Sequence, residues 1–411
     1  MRERLLVTGV GCVSSLGTGV ETFARALAAG ETGIRPVTDF STDGCRTHTA
    51  ARLRDFDPAR YVEPLKLRRM DEIGRLALAA CRLAVDAANV PGRSDRVGVA
   101  IGSATAGLHS TIAHMHVLAT TGPSMVPAIS FSNTVGNSAA SLCAIEFGFR
   151  GPNVTFAQKQ ASSLAALAYA AAALRDGRAD AFVAGGVDDF EERFFRVHDR
   201  FHVMSPGRGG EERSRPFDRR RNGFLLGAGG HLLVIETEKA AARREAPVLG
   251  EILGVGRAGA PCGVNHWPSS PVGFVRAMRM ALDDAGLEAR AVGAVFASAN
   301  ATRQLDRAEA LALQEVFGAC GVPVVSLKGA LGEFGAAGAA GITAALSCLA
   351  RGVLPPTLGL DEPDPAFSLN LSASARSTDA RVALVNSAAA GGAHYSVLVR
   401  VLPPGEFEPG A

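Results

Sequence analysis

The sequence predicts an α/β protein in which parallel strands are covered by helices on both faces. Short apolar runs alternate with alanine-rich helical patterns along the chain, and this alternation is typical of such sheets. The length of 411 residues favours two fused units over a single core, because single domains mostly hold about 100–200 residues. We expect an N-terminal unit over 1–245 and a C-terminal unit over 246–411, with the crossing between them at 238–247.

Each element follows from its local pattern, since apolar runs predict strands and helical periodicity predicts helices. In the first unit we predict strands at 5–11, 97–101, 181–187 and 230–236, and helices at 20–29, 71–88 and 162–175. In the second unit we predict strands at 292–297, 323–327 and 382–386, and helices at 273–285, 306–317 and 336–351. Residues 403–411 are rich in proline and glycine and predict a frayed tail.

The composition excludes several classes of function. Apolar residues make up 47% of the chain and charged residues 20%, and the formal net charge is only +2. A nucleic-acid-binding protein would carry a strong basic excess, so no nucleic-acid partner is predicted. The single tryptophan and three tyrosines also make stacking platforms for single strands improbable.

The cysteines and the apolar windows predict a cytoplasmic protein without a membrane partner. Seven cysteines form no CxxC pair, which disfavours a disulfide framework or a zinc site. The N-terminus lacks the apolar core of a signal peptide. The two most apolar windows, 164–174 and 334–350, fit buried helices better than membrane spans. His114 and His116 would face different sides of a helix, so no metal site is predicted.

A glycine pair at Gly9 and Gly11 follows the start of the first predicted strand and invites comparison with dinucleotide-binding loops. Ser14 stands in place of the third glycine of that motif, and no acidic residue ends a second strand at the expected distance. We therefore predict no cofactor and interpret residues 8–14 as a tight turn after the first strand.

A corner between a strand and a helix at 151–164 is more informative. The strand ends near Gln160, and the helix begins at Ser162. A side chain at such a corner faces the helix N-terminus, where unpaired N–H groups stabilise an anion and activate a serine or cysteine nucleophile. Gln160 carries a neutral amide that cannot form a covalent adduct. The local pattern fits a modified nucleophile corner and an ordinary buried turn equally well.

Several further motifs follow in a fixed order. They are Gly151-Pro152 with Ala157 and Ser162, the stretch 177–187, Ser-Arg-Pro-Phe-Asp at 214–218, Arg-Asn-Gly-Phe at 221–224 with Gly227, Asp-Arg-Ala-Glu at 306–309, Lys328, and Asn386-Ser387 with Gly391-Gly392. With these motifs spread over nearly its whole length, the chain resembles the β-ketoacyl synthases of the thiolase fold. The resemblance implies two pseudo-symmetric α-β-α halves in a five-layered α-β-α-β-α core, each half with a five-stranded mixed sheet.

The chain departs from that family where the chemistry is done. Active members carry a cysteine at the position of Gln160 and histidines at the positions of Ser298 and Glu333, whereas Lys328 is retained. The phenylalanines of the family's late gating loop correspond to Ala388 and Ala390. Condensation needs a thiolate to take the acyl chain and donors for the thioester oxygen. The resemblance therefore implies a chain without condensing activity.

Among the degenerate relatives, the chain is most similar to the chain-length factor, the β subunit of a type II polyketide ketosynthase heterodimer. Loading ketosynthases also carry a glutamine, but they keep both histidines. The similarity implies two partners, a catalytic ketosynthase α subunit and an acyl carrier protein. It also implies an interface along 130–147, although core packing would explain the apolar residues there equally well. The implied tunnel residues are Thr105, Leu108, His109, Ile112, Ser130 and Phe131.

Two other functions stay open at this point. One is a malonyl-carrier decarboxylase that uses a surviving backbone oxyanion hole, and the other is a homodimeric pseudoenzyme that binds acyl chains. Stretches 66–71 and 156–163 look closer to polyene-making systems than to aromatic ones, but neither product class is excluded. The basic stretches 66–69 and 219–221 fit either a carrier-protein contact or a solvated surface.

Overall fold

Fifteen strands and thirteen α-helices are formed by the residues that the computed structural model describes, 3–207 and 211–402. The predicted tail at 403–411 lies outside the described residues. The strands are β1 (Leu5–Ser14), β2 (Gly17–Thr18), β3 (Ile34–Pro36), β4 (Thr49–Ala51), β5 (Val97–Gly102), β6 (Asn153–Phe156), β7 (Ala181–Asp188), β8 (Gly229–Thr237), β9 (Gly250–Gly259), β10 (Ala294–Phe296), β11 (Val324–Val325), β12 (Val353–Leu354), β13 (Arg376–Ser377), β14 (Val382–Ala388) and β15 (Ala393–Val401).

The helices lie between these strands in the alternating order that the sequence predicts. They are α1 (Val20–Ala28), α2 (Pro64–Leu67), α3 (Glu72–Ala88), α4 (Leu108–Thr121), α5 (Ala128–Thr134), α6 (Ser138–Phe147), α7 (Ser162–Arg175), α8 (Glu192–Arg200), α9 (Glu238–Arg243), α10 (Val272–Ala285), α11 (Arg303–Phe317), α12 (Lys328–Leu331) and α13 (Ala337–Leu349). Short 3-10 helices occupy Pro58–Arg60, Pro123–Met125, Lys159–Ala161 and Ala289–Ala291.

Eleven strands form one mixed sheet whose two halves repeat one pattern, and β3-β4 and β12-β13 are separate two-stranded sheets. The first half has the order β6-β5-β7-β8-β1, with β2 beside β1, and the second half has the order β11-β10-β14-β15-β9. In each half the three outer strands are parallel, and the remaining two join in antiparallel fashion. β1 and β9 pair antiparallel over residues 5–7 and 250–252 and join the two halves. Each half thus contains the five-stranded mixed group that the resemblance implies, and the two groups are continuous.

Helices cover both faces of both halves of the sheet. α7 packs on β5 and β7, α13 packs on β14 and β15, and the two helices touch each other between the halves. α3 covers the outer face of β1 and β8, while α10 covers β9 and β15 with α11 beside it. Three separate apolar clusters correspond to the central layer and to the two outer ones. The five-layered α-β-α-β-α order follows.

The glycine pair near the N-terminus serves helix packing. The predicted turn at 8–14 is wrong, because β1 continues to Ser14 and pairs with β8 along its length. A Cβ atom on Gly11 would lie 1.8 Å from the backbone oxygen of Ala80 in α3. The second half has the same close approach of helix to strand, since a Cβ on Gly256 would lie 1.8 Å from the backbone oxygen of Ala277 in α10. Each glycine pair lets an outer helix lie directly on its sheet.

Other predictions differ from the structure mainly at element ends. The helix predicted at 71–88 begins at Glu72, and Asp71 caps it by accepting a hydrogen bond from the Gly74 N–H at 3.0 Å. The predicted crossing at 238–247 contains the short helix α9 and leads into β9, a strand that the sequence patterns did not reveal. Windows 164–174 and 334–350 are buried in and around α7 and α13, as predicted. Within the described ranges, no helix combines the length and the apolar character that a membrane crossing needs.

Candidate functional site

The corner that carries Gln160 lies between β6 and α7, as the sequence predicts. β6 ends at Phe156 and α7 begins at Ser162, with one 3-10 turn between them. Lys159 has φ 49°, a left-handed conformation that non-glycine residues seldom adopt. Its Nζ donates hydrogen bonds to the backbone oxygen of Val264, at 2.5 Å, and to Asn265 Oδ1, at 2.8 Å. The corner is thereby fixed to the loop after β9.

The Gln160 side chain uses a backbone donor at the end of β14. Its Oε1 accepts a hydrogen bond from the Ala390 N–H at 3.3 Å. The Ser387 hydroxyl donates to the Gln160 backbone oxygen at 2.9 Å, which joins the same two segments a second time. The amide oxygen of Gln160 therefore uses the Ala390 N–H, a backbone donor of the kind that can stabilise a developing oxyanion.

Ser298 is engaged with the same segment. Its hydroxyl oxygen accepts a hydrogen bond from the Ala388 N–H at 3.0 Å, and the side chain is buried. Ala388 ends β14, and Ala390 follows in the loop. Both gating-loop positions present only methyl groups, so the loop carries no bulky side chain that could swing across the site. A serine hydroxyl held in this way supplies no imidazole donor to a thioester oxygen.

Two buried carboxyls hold the loop that carries Ser298. Glu309 accepts from the backbone N–H groups of Ser298, at 2.9 Å, and Ala299, at 2.6 Å. Asp306 accepts from the N–H groups of Asn300 and Phe217 at 2.9 Å and 2.8 Å. Burial raises the pKa of Asp306 and of Glu309 to about 7 in each case, against the lowering effect of these backbone donors. The backbone around Ser298 is therefore held by buried carboxyl groups.

At Glu333, the other position where the resemblance implies a histidine in active members, the side chain forms a buried ion pair with Lys328. Lys328 Nζ contacts Glu333 Oε1, and both side chains are buried. Asn300 Nδ2 donates to the other oxygen, Glu333 Oε2, at 2.6 Å. Each charge and both carboxylate oxygens thus have partners within the chain. The carboxylate of Glu333 therefore stands beside Lys328 at this position and supplies acceptors rather than the N–H donor of an imidazole.

The implied tunnel residues lie on two neighbouring helices and on the segment before them. Leu108, His109 and Ile112 are on α4, whereas Ser130 and Phe131 are on α5. The two helices are linked by a hydrogen bond of 3.1 Å between His114 Nδ1 and Ser130 Oγ and by a ring contact from His114 to Phe131. Thr105 is buried before α4, while His109 and Phe131 are exposed.

Thr105 borders a cavity that sequence analysis missed. Asp188 and Asp189 at the end of β7 form part of its wall, together with Phe190, Phe194, Glu333 and Phe334. The sequence shows two acidic residues directly after a predicted buried strand. Such a pair ordinarily indicates a solvated loop, so it did not indicate a cavity. Asn300, the partner of Glu333, was also missed, because the two residues are 33 positions apart.

The cysteines form no disulfide within the described ranges. All seven cysteines are free. In the described ranges, no group of three or more His, Cys, Asp or Glu side chains is arranged to hold a metal ion.

Comparisons with known proteins identify the family. Residues 2–241 match the N-terminal domain of beta-ketoacyl synthase, and residues 249–361 match its C-terminal domain. The chain is 30% identical to 3-oxoacyl-[acyl-carrier-protein] synthase 2 of Coxiella burnetii, over 90% of this chain and 91% of that protein. It is 33% identical to a Streptomyces cyaneus protein named as a polyketide beta-ketoacyl synthase, again over 90% and 91%. The chain belongs to the β-ketoacyl synthase family.

Solved structures agree with this assignment. The ishigamide ketosynthase/chain length factor superposes with a TM-score of 0.91 at 30% identity, over 98% of this chain and 100% of that one. A beta-ketoacyl synthase from Burkholderia phymatum gives a TM-score of 0.90 at 29% identity, over 98% and 100%. A type II polyketide ketosynthase solved with its acyl-carrier protein gives 0.88 at 24% identity, over the same shares, which supports the fold alone. The fold is that of the type II polyketide ketosynthases.

Proposed function

We propose that this chain is the non-catalytic, chain-length-determining subunit of a type II polyketide ketosynthase heterodimer. The observation that carries the proposal is the hydrogen bond from the Ala390 N–H to the amide oxygen of Gln160. This hydrogen bond supports two parts of the proposal. Gln160 stands at the nucleophile position, and its amide bonds a backbone N–H that could otherwise serve as an oxyanion donor. Both histidine positions are also satisfied internally, at Ser298 and Glu333.

The chemistry supports a structural role over a slow enzyme. Removal of one oxyanion-hole donor typically costs on the order of 10²–10³ in rate. Loss of the nucleophile removes the acyl-enzyme route altogether, since no thiolate can receive the chain. The malonyl-decarboxylase alternative needs a free oxyanion hole, and Gln160 occupies one of its donors.

Exposed apolar side chains on α4, α5 and α6 support the partner assignment. Met115, Phe131 and Ile145 are 54%, 61% and 76% exposed, and they lie on these three consecutive helices. Obligate interfaces bury side chains of this kind over areas commonly above 2,000 Å². The solved relative named as a ketosynthase/chain length factor supports a catalytic ketosynthase α subunit as the partner. Ala139 and Ala140 of the same stretch pack inside the chain.

In the proposed complex, the partner's cysteine carries the growing chain and this subunit closes the far end of a shared tunnel. Thr105, Ile112 and their neighbours on α4 and α5 would limit the number of condensations by steric exclusion. The acyl carrier protein would deliver substrate mainly to the partner, because several basic side chains of the two stretches are paired within this chain. Lys66 pairs with Glu146 at 2.7 Å, and Arg220 pairs with Asp361 at 2.7 Å.

Co-expression with the ketosynthase encoded beside this chain tests the proposal. We expect the two proteins to co-purify and the pair to make a polyketide of defined mass when it is supplied with malonyl carrier protein. Acetyl-carrier formation by this chain alone would instead support the decarboxylase. Sedimentation of a stable homodimer that ignores the ketosynthase would support the acyl-binding pseudoenzyme.

A further inference from the structure

The loop over residues 260–266, between β9 and α10, is fixed at its two ends. The Ala260 N–H donates to the Gly392 backbone oxygen at 2.8 Å, and the Gly391 N–H donates to the His266 backbone oxygen at 3.0 Å. Most residues between these ends are exposed and belong to no helix or strand. Exposed backbone of this kind opens easily, so the tip of the loop needs a contact of its own to stay in place.

Lys159 supplies that contact from the corner between β6 and α7. Its Nζ donates to the Val264 backbone oxygen at 2.5 Å and to Asn265 Oδ1 at 2.8 Å. Val264 is 75% exposed, so burial of its side chain does not hold the tip. Both acceptors are neutral oxygens, and hydrogen bonds from a charged donor are stronger than those between neutral groups. Two bonds from one side chain thus tie the tip to the corner.

The backbone of Lys159 is itself held in an uncommon conformation. Its φ of 49° lies in the left-handed region, and a non-glycine residue stays there only where its surroundings fix it. The Ser162 hydroxyl donates to the Lys159 backbone oxygen at 2.7 Å. A Cβ on Gly335 would lie 2.9 Å from the same oxygen, so a second segment packs closely against it. Lys159 is therefore fixed both at its backbone and at its ammonium group.

The 260–266 loop lies next to the Gln160 amide. Two consecutive N–H groups connect them, because Ala390 donates to Gln160 Oε1 at 3.3 Å and Gly391 donates to the His266 backbone oxygen. Gln160 is half-buried. The position of the loop therefore decides how far the corner is open to solvent.

We propose that Lys159 is a positioning residue that holds the 260–266 loop closed beside Gln160 and so shuts the corner of this chain to molecules from solvent. The inference concerns contacts within this chain and stands without the proposed function. Combined with that function, a closed corner directs carrier-bound substrates to the partner subunit.

Hydrogen exchange of the full chain, followed by mass spectrometry of its peptides, tests the hold on the loop. Lys159→Met removes both hydrogen bonds and keeps a side chain of similar length. We expect the amides of 262–266 to exchange at least about tenfold faster, because the loop then opens more often. Lys159→Arg should keep the slow exchange, since a guanidinium also donates. Lys239→Met, at an exposed lysine of α9, is the matched control and should leave the loop unchanged.

Alkylation of a reporter thiol tests whether the loop closes the corner. In Gln160→Cys, iodoacetamide labels residue 160, and the exposed Cys320 is the internal reference. We expect the double variant with Lys159→Met to be labelled at residue 160 at least about tenfold faster than Gln160→Cys alone. Removal of a neighbouring positive charge by itself makes the thiolate less stable and slows the reaction. A faster reaction therefore reports access.

Asn265→Ala is the second variant, which keeps the inference testable where Lys159→Met does not fold. It removes one acceptor, so it should speed exchange in the loop by a smaller factor. Slow exchange that survives both Lys159→Met and Asn265→Ala, or labelling of residue 160 that Lys159→Met does not speed, would overturn the inference. Since co-purification with the ketosynthase is measured separately, such a failure would leave the proposed function standing.

Discussion

Gln160 and Glu333 stand where active family members carry reactive side chains, and each is bonded to groups that surround its position. Gln160 accepts the backbone hydrogen bond of Ala390, and Glu333 takes up the positive charge of Lys328. Neither residue leaves an unpaired charge, because Glu333 pairs with Lys328 and the amide of Gln160 is neutral.

The Lys328–Glu333 pair gives a prediction about stability. Glu333→Leu leaves the Lys328 ammonium buried without its partner, and Lys328→Met leaves the carboxylate in the same state. We expect each single change to lower the free energy of unfolding by about 3–5 kcal/mol, since breaking a buried pair exposes the desolvation cost of the remaining charge. The double variant should be more stable than either single one. Urea unfolding of the four proteins measures this, and additive losses would contradict the account.

His231 predicts how stability depends on pH. Burial in β8 lowers the pKa of this imidazole to about 3, below its ordinary value of 6.5, so the folded state holds it neutral. Because only the unfolded state takes up a proton between pH 6.5 and pH 3, the free energy of unfolding decreases over this range as the pH falls. Above pH 6.5 His231 does not change it. Between pH 7.5 and pH 5 the loss should be about 2 kcal/mol, at 1.36 kcal/mol per pH unit below 6.5. Urea unfolding of wild type and His231→Gln at both pH values isolates this part, and equal pH dependence in the two proteins would refute it.

At the scale of elements, the glycines of β1 and β9 set the distance between sheet and helix. Gly11→Ala would force a methyl group against the Ala80 backbone oxygen, at 1.8 Å in the present geometry. We expect a loss of about 1–3 kcal/mol in unfolding free energy, the usual cost of overpacking. Gly259→Ala is the matched control in β9, because its Cβ would meet no atom within 4 Å. Thermal or urea unfolding compares the two, and equal losses would show that close packing is not the cause.

The helices α4 to α6 give a prediction about assembly. Ile145→Arg places a charge on the exposed apolar surface of α6, where a partner subunit would have to bury it. We expect the yield of ketosynthase in a pull-down to fall at least tenfold, with the fold unchanged in circular dichroism. Met280→Arg, at a residue 45% exposed on α10, is the control and should leave the yield intact. A yield that Ile145→Arg leaves unaltered would place the interface elsewhere.

These elements also explain which parts of the fold the sequence predicts. β5, β7 and β8 are continuous apolar runs that are buried on both faces, so composition alone reveals them. β9 holds Gly250, Gly254, Gly256 and Gly259, and the close contacts of Gly254 and Gly256 with α10 arise only in the folded chain. α4 and α6 have apolar residues around much of their circumference, which removes the one-sided periodicity that identifies a surface helix.

The residues of the site also divide into those that sequence motifs reveal and those that only the folded structure reveals. The corner at Gln160 and the lost histidines are visible in sequence because they lie inside ordered motifs. Asp189 and Asn300 are not, because their significance depends on residues brought in from other elements. The sequence therefore predicts which motif positions are replaced, whereas contacts between distant residues, such as Asn300 with Glu333, are found only in the structure.

At the scale of the whole molecule, the chain has the complete ketosynthase fold, and in the proposed complex the reacting groups come from another subunit. The chain contains both pseudo-symmetric halves, a continuous sheet, and the loop that Asp306 and Glu309 hold by hydrogen bonds. Gln160 stands where active members carry the reacting cysteine. The exposed apolar helices are where the second subunit would bind in the proposed complex.

Intact-protein mass spectrometry tests this division of labour most directly. The chain and its ketosynthase partner are incubated together with acyl carrier protein that bears a labelled acyl thioester, and each subunit is then weighed. The account predicts that, of the two subunits, only the partner becomes labelled, and that added malonyl carrier protein moves the label from the partner to the carrier protein as the elongated product. An acyl adduct on this chain, or elongation of the acyl group by this chain without the partner, would contradict it.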